Sequence, residues 1–255
     1  MLRKDILTAI RYRNGFIFGA VSPGLQLATF YYLSRAVGPQ FRPEGMPYFS
    51  FLIVGAGFYT FLLAGIHSFV RTVQESQQTG TLEVLMTTAT SPATLLSLSA
   101  LSAFASGIVQ LLFYFCAGVL LFGVPHVNLV GCLSVLVFSV LISAAIGLFA
   151  AGLQIAIHKG SAVLWLIGST AWLMAGTMFP VAALPAPLRI VSVLLPFTHS
   201  LTAMRMALFQ SGNPAALMRE VEILALFLLV LLPASMFFFS LMVRRARQFG
   251  TLSFY

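Results

Sequence analysis

Six acids, four histidines and two cysteines are the side chains on which this 255-residue chain could build catalysis, and their spacing assembles no reactive cluster. His67, His126, His158 and His199 are scattered over separate loops and run ends, without the paired spacing that a zinc site uses. His199-Ser200 sets a base beside a hydroxyl, but no Gly-x-Ser-x-Gly occurs and no acid is placed to complete a triad. A helix start accounts for that pair equally well. Gly55-Ala-Gly57 lacks the strand-to-helix context of a nucleotide loop, and no Gly-x-x-x-x-Gly-Lys-Ser/Thr is present, so close helix packing explains it better. Cys116 and Cys132 lie in apolar runs, where a thiol behaves as a small hydrophobe, and they imply no disulfide framework. The expected count of catalytic residues, metal ligands and cofactor-binding residues in this chain is none.

The acids carry a second message. Proton-coupled carriers place acids within their spans, whereas Asp5, Glu44, Glu75, Glu83, Glu220 and Glu222 all fall at span ends or in loops. A self-powered carrier is disfavoured, and work supplied by a partner is favoured.

The elements that hold these residues are set by hydropathy. Hydrophobic residues make up 59% of the chain and charged ones 8%, against about a quarter charged in a soluble domain. Between Glu83 and Lys159 no Asp, Glu, Lys or Arg occurs, and about 20 apolar residues suffice to cross the hydrocarbon. Apolar runs bounded by charges, Pro or Gly place six spans near Phe16–Val37, Tyr48–Val70, Ala93–Phe122, Asn128–Ile157, Ser161–Val181 and Val221–Val243. Their continuous apolarity excludes the alternation of a membrane barrel, so the fold class is all-α and polytopic. Residues 1–255 form one transmembrane domain without room for an ATPase, and the first span is expected to be retained and not cleaved.

The formal net charge is +8, but the cations flank spans instead of gathering on a soluble face, so nucleic acid is not the expected partner and anionic lipid is. With both termini cytoplasmic, only Arg35, Arg42, Arg189, Arg205 and Arg219 fall outside. Met1–Asn14 sets Leu2, Ile6 and Ile10 on one side with Lys4 and Arg11 largely opposite, which suits a helix lying in the interface, although Arg13 intrudes. Gly15 with Gly19, and Gly147 with Ala151, have the spacing of close helix contacts. Phe51, Phe58, Phe61, Trp165 and Trp172 could line a route for an amphiphile, or serve packing and lipid contact equally well.

Two interior segments stand out. The first, residues 71–92 on the cytoplasmic side, is the most polar interior stretch. Gly80 can take the left-handed conformation that ends a helix, Thr81 can cap the next, and Glu83 then falls in its first turn, giving a sharply turned pair of short helices. The second, residues 180–212, carries Pro180, Pro185, Pro187 and Pro196, which cannot fit one straight span. It predicts that span five ends near Pro180, that a short helix starts at Pro187 and stops before Pro196, and that another starts with Thr198 as cap. Short re-entrant outer helices between spans five and six follow.

The order Glu75, Gly80, Thr81, Leu82, Glu83, Leu85 resembles the ABC-2 family of exporter permeases, in which Glu followed by Gly-Thr-Leu-Glu and a further Leu marks the loop after the second span. Phe179, Pro180, Leu184, Pro185, Pro196 and Arg205 resemble the same family's pattern between spans five and six. This chain reads Thr88-Ala-Thr90-Ser91-Pro92 where the family often has Thr-Pro, a departure that leaves the end of the contact helix open. The resemblance implies an ATP-driven exporter of an amphiphile (drug, lipid or lipid-linked glycan). It implies a coupling role for the first set of residues against a separate ABC ATP-binding subunit holding ATP and Mg. It also implies a second permease copy as a homodimer, and residence in a bacterial cytoplasmic membrane. A secondary transporter or channel, and an intramembrane lipid-modifying enzyme, are the competing expectations.

Overall fold

The computed structural model describes residues 13–80, scattered positions between 101 and 112, and residues 127–157, 160–209 and 214–249. Seven α-helices are defined among these: α1 (Arg13–Val37), α2 (Tyr48–Gln78), α3 (Leu129–Ile157), α4 (Gly160–Met174), α5 (Ala186–Val193), α6 (Pro196–Phe209) and α7 (Pro214–Phe249). Single 3-10 turns at Pro43–Gly45 and Val181–Ala183 complete the regular structure, and no strand occurs among the described residues. The all-α expectation holds. Among the described residues, three helices are long and apolar enough to cross a membrane: α2, α3 and residues Pro214–Ala246 of α7. The pair α5–α6, bent by 82°, makes a fourth only if both halves belong to one span.

The layering follows from how each apolar surface is used. In α2, 83% of the most apolar stretch is buried, against 33% in α3 and 17% in α7. With no charge available to wet the remainder, α2 is the central helix, and α3 and α7 turn apolar faces outward, as a helix in hydrocarbon can. α3 packs between α2 and α7. Its close approach to α2 occurs at Gly147, where an added Cβ would stand 2.5 Å from Phe69 and 3.2 Å from the backbone of Ile66. Small-residue packing of this kind replaces the hydrophobic effect that lipid cannot supply. Asn128 caps α3, its Oδ1 accepting the Gly131 N–H at 2.9 Å.

Several boundaries differ from those expected. The polar run Arg71–Gln78 continues α2 as one 31-residue helix and forms no separate short helix; its Arg, Gln and Glu residues are good helix formers, so the helix outlasts its apolar part. Span five was expected to reach Val181, but α4 stops at Met174. At 15 residues, α4 is about 22 Å long, short of a crossing. It ends because Gly176 adopts φ +78 and the following carbonyls turn toward a cation on α6. Thr198 is not a cap: α6 already starts at Pro196, and the shorter helix before it starts at Ala186. Within 1–14, Arg13 and Asn14 belong to α1 and the rest of the expected interfacial helix lies outside the described residues, as does most of the third span.

Candidate functional site

The segment expected to be irregular converges on Arg205. Its position on α6 leaves it 1% exposed, the largest of the fully buried side chains. A guanidinium held away from water must find acceptors, and Nη2 donates to the carbonyl oxygens of Gly176 at 2.8 Å, Phe51 at 3.2 Å and Thr177 at 3.4 Å. Its plane lies on the Phe51 ring, 3.5 Å from the ring centre, a desolvated cation–π contact. Nη1 is 3.9 Å from Glu44 Oε1. One side chain on α6 thus ties together the α1–α2 connection, the first turn of α2 and the end of α4.

Two further features complete this knot. Gly55 on α2 lets it close, because an added Cβ would stand 2.3 Å from Thr177 O and 2.5 Å from Arg205 Nη2. Glu44 sits at φ +54 and ψ +23, a left-handed conformation that costs a non-glycine residue roughly 1–2 kcal/mol, and its carboxylate faces Arg205. Burial pushes the Glu44 carboxyl above its ordinary value, and the Arg205 guanidinium pulls it back part of the way.

Phe179, Pro180, Leu184, Pro185 and Pro196 are not among the partners of Arg205. Phe179 and Pro180 lead into the Val181–Ala183 turn, Leu184 closes it, Pro185 precedes α5, and Pro196 opens α6. The corner between α5 and α6 is held by buried hydroxyls: Ser192 Oγ donates to Met174 O and Thr198 Oγ1 to Ser192 O, both at 2.6 Å. His199 and Ser200 diverge. The His199 ring meets Glu220 of α7 at 2.7 Å and Val193 O at 2.9 Å, while Ser200 Oγ bonds Ser139 of α3 at 2.9 Å. They hydrogen-bond to different helices and form no nucleophile–base pair.

The other end of α2 carries the polar segment. Glu75 is exposed and pairs with Arg71 at 2.6 Å. Gly80 takes φ +67, the left-handed conformation expected of it. Thr81, Leu82, Glu83 and Leu85 lie outside the described residues. One residue before the helix end, Gln77 is buried and its Oε1 accepts from Gln154 Nε2 of α3 at 3.2 Å, tying the two helices. From Gly55 to Glu75 the helix runs unbroken, which at its regular rise is about 30 Å, the thickness of the hydrocarbon. The knot and the polar segment are therefore two ends of one rod.

Sequence reasoning missed Glu44, Gln77 and Gln154 as contact residues. Gln154 had a usable signal, as an amide inside a run without any charge; Glu44, between Pro43 and Gly45, had the weaker one of an acid in a tight turn.

Comparison with curated proteins finds no match. Residues 30–237 match the ABC-2 family transporter protein, a range that includes Glu44, the whole of α2 and Arg205. Helices fit for the bilayer agree with that match, and the chain belongs to the ABC-2 family of transporters, as a multi-pass membrane permease.

Proposed function

We propose that this permease is the membrane subunit of an ATP-driven exporter, working as a homodimer with two copies of a separate ABC ATPase that binds ATP and Mg. The observation that carries the proposal is the continuity of α2, whose polar end holds Glu75 and whose other end is gripped by Arg205. A rigid helix about 30 Å long transfers a displacement at one end to the other without loss in a flexible joint. ATPase closure would push on Glu75, Gly80, Thr81, Leu82, Glu83 and Leu85. α2 would carry the shift, with α3 following through Gln77–Gln154, and the Arg205 knot would re-register α4 and α6. Six crossings per copy with cytoplasmic termini, bacterial inner-membrane residence and outward movement of an amphiphile complete this reading. The exposed apolar faces of α3 and α7 support contact with lipid.

The test is purification of the tagged chain from its native membrane, followed by reconstitution. An ABC ATPase should co-purify, and transport should require ATP. Glu75→Ala with Glu83→Ala should uncouple ATP hydrolysis from transport while the chain still inserts. Transport in vesicles free of any ATPase would refute the assignment.

A further inference from the structure

Away from the Arg205 knot, a cavity of about 540 Å³ opens between the end of α1, the connecting residues 38–42 and the start of α2. That volume is within the range of pockets that hold small ligands. Its lining combines two cations, Arg35 and Arg42, a hydroxyl, Ser34, and three aromatic rings, Tyr31, Phe41 and Tyr48. Both arginines are exposed, and the ion pairs found among the described residues involve Arg71, His199 and Arg205 and neither of these two. The acid two residues after Arg42, Glu44, is directed to Arg205 instead. Two guanidiniums thus face one cavity, and neither takes part in an ion pair found among the described residues. The rings give that cavity a fixed wall: Arg35 lies over Tyr31 at 5.7 Å, and Phe41 meets Tyr48 edge to face at 5.0 Å.

The position is informative as well as the composition. Arg35 lies in the last turn of α1 and Tyr48 in the first turn of α2, so the cavity stands at the start of a helix fit to cross the membrane, the level of the headgroup layer. Aromatic rings at that depth sit between tails and water, and guanidinium forks match phosphate oxygens two at a time. We propose that this cavity binds the phosphate of an anionic lipid headgroup, with Arg35 and Arg42 on the phosphate oxygens and Tyr31, Phe41 and Tyr48 against the glycerol and upper acyl carbons. The site needs only the membrane placement of the chain and not an ATPase partner, so its failure leaves the coupling assignment standing.

The experiment uses the full chain in nanodiscs of phosphatidylcholine doped with photoreactive phosphatidylglycerol, with crosslinks mapped by peptide mass spectrometry. Crosslinks should concentrate in residues 31–48. Each of Arg35→Gln and Arg42→Gln should lower apparent affinity there about fivefold, and the double variant about twenty-five-fold, as removal of one or two interfacial cations requires. Crosslinks elsewhere on the chain should be unchanged, which shows that the double variant is folded. Arg35→Lys with Arg42→Lys should recover part of the loss, because charge returns without the fork. Uncharged photoreactive diacylglycerol labelling residues 31–48 as well as phosphatidylglycerol does, or undiminished labelling of the double Gln variant, would overturn the site. Displacement of the lipid by equimolar inorganic phosphate would overturn the lipid as its source, leaving free phosphate as the ligand of the same two arginines.

Discussion

Replacing Gly55 by alanine adds one methyl group at the point where α2, α4 and α6 meet. That carbon would stand 2.3 Å from the Thr177 carbonyl oxygen and 2.5 Å from Arg205 Nη2, whereas a relaxed carbon–oxygen contact is about 3.3 Å or longer. About 1 Å has to be found, and neither neighbour is a free end: one is backbone, and the other is pinned between the Phe51 ring and three carbonyls. Overpacking of this kind costs ~1–3 kcal/mol, and a weakened hydrogen bond to a charged group ~1.5–3 kcal/mol. The better helix propensity of alanine returns about 1 kcal/mol. A net destabilisation of about 2–4 kcal/mol is expected, read as a lower unfolding midpoint of the purified chain in mild detergent. Gly24→Ala on α1 is the control, since no atom lies within 4 Å of its added Cβ; it should be neutral or more stable by up to about 1 kcal/mol. If Gly55→Ala is no less stable than Gly24→Ala, the Arg205 knot does not grip α2 as described.

Three further outcomes are expected. Gln154→Leu alone should cost ~1–3 kcal/mol by stranding the buried Gln77 amide, and Gln77→Leu with Gln154→Leu should recover most of it; equal losses in single and double variants by detergent unfolding would contradict the pairing. The Glu44 carboxyl is raised by burial more than Arg205 lowers it, so its contribution to folding is full below the ordinary value of 4.5 and is lost as pH rises through the raised native value. Subtracting the melting curve of Glu44→Gln from that of the wild type between pH 4 and 8 should show this falling limb, and a rising one would reverse the sign. Gly80→Ala should lower stability by about 1 kcal/mol because φ is +67 there, whereas Gly80→Asn, which tolerates that conformation, should cost less in the same melts.

Hydropathy reported where long apolar helices lie more faithfully than where helices end. Asn128 opens α3 where the sequence puts a span start, and Ile157 closes it, because cap and apolar run coincide there. At Arg71 they separate: polarity begins while the helix persists for two more turns, since leaving hydrocarbon does not oblige a backbone to stop bonding itself. The end of α4 was illegible for a different reason. The chain at residues 176–180 leaves the helix partly because Arg205 collects the Gly176 and Thr177 carbonyls, and no local window contains that arginine. Charge counting placed Arg205 outside with the other cations of its connection, although it is buried with an acceptor 154 residues away in sequence. Its candidacy came from family resemblance, and its partners came only from the fold. Gly55, by contrast, was legible as a packing glycine, with its neighbour unnamed.

The choice of backbone acceptors for Arg205 shapes how this protein tolerates mutation. A carbonyl oxygen is supplied by every amino acid, so Thr177 can change identity while still presenting its acceptor, whereas Phe51 supplies its ring to the guanidinium as well as its carbonyl. Few other residues can replace Arg205 or Gly55, because one alone supplies the fork and the other alone leaves the room. In a saturation library, intolerance should therefore fall on Arg205, Gly55, Phe51 and Gly176 and be weaker at Thr177, so a map of variable side chains would conceal the Thr177 part of the knot that joins α2 to α4 and α6.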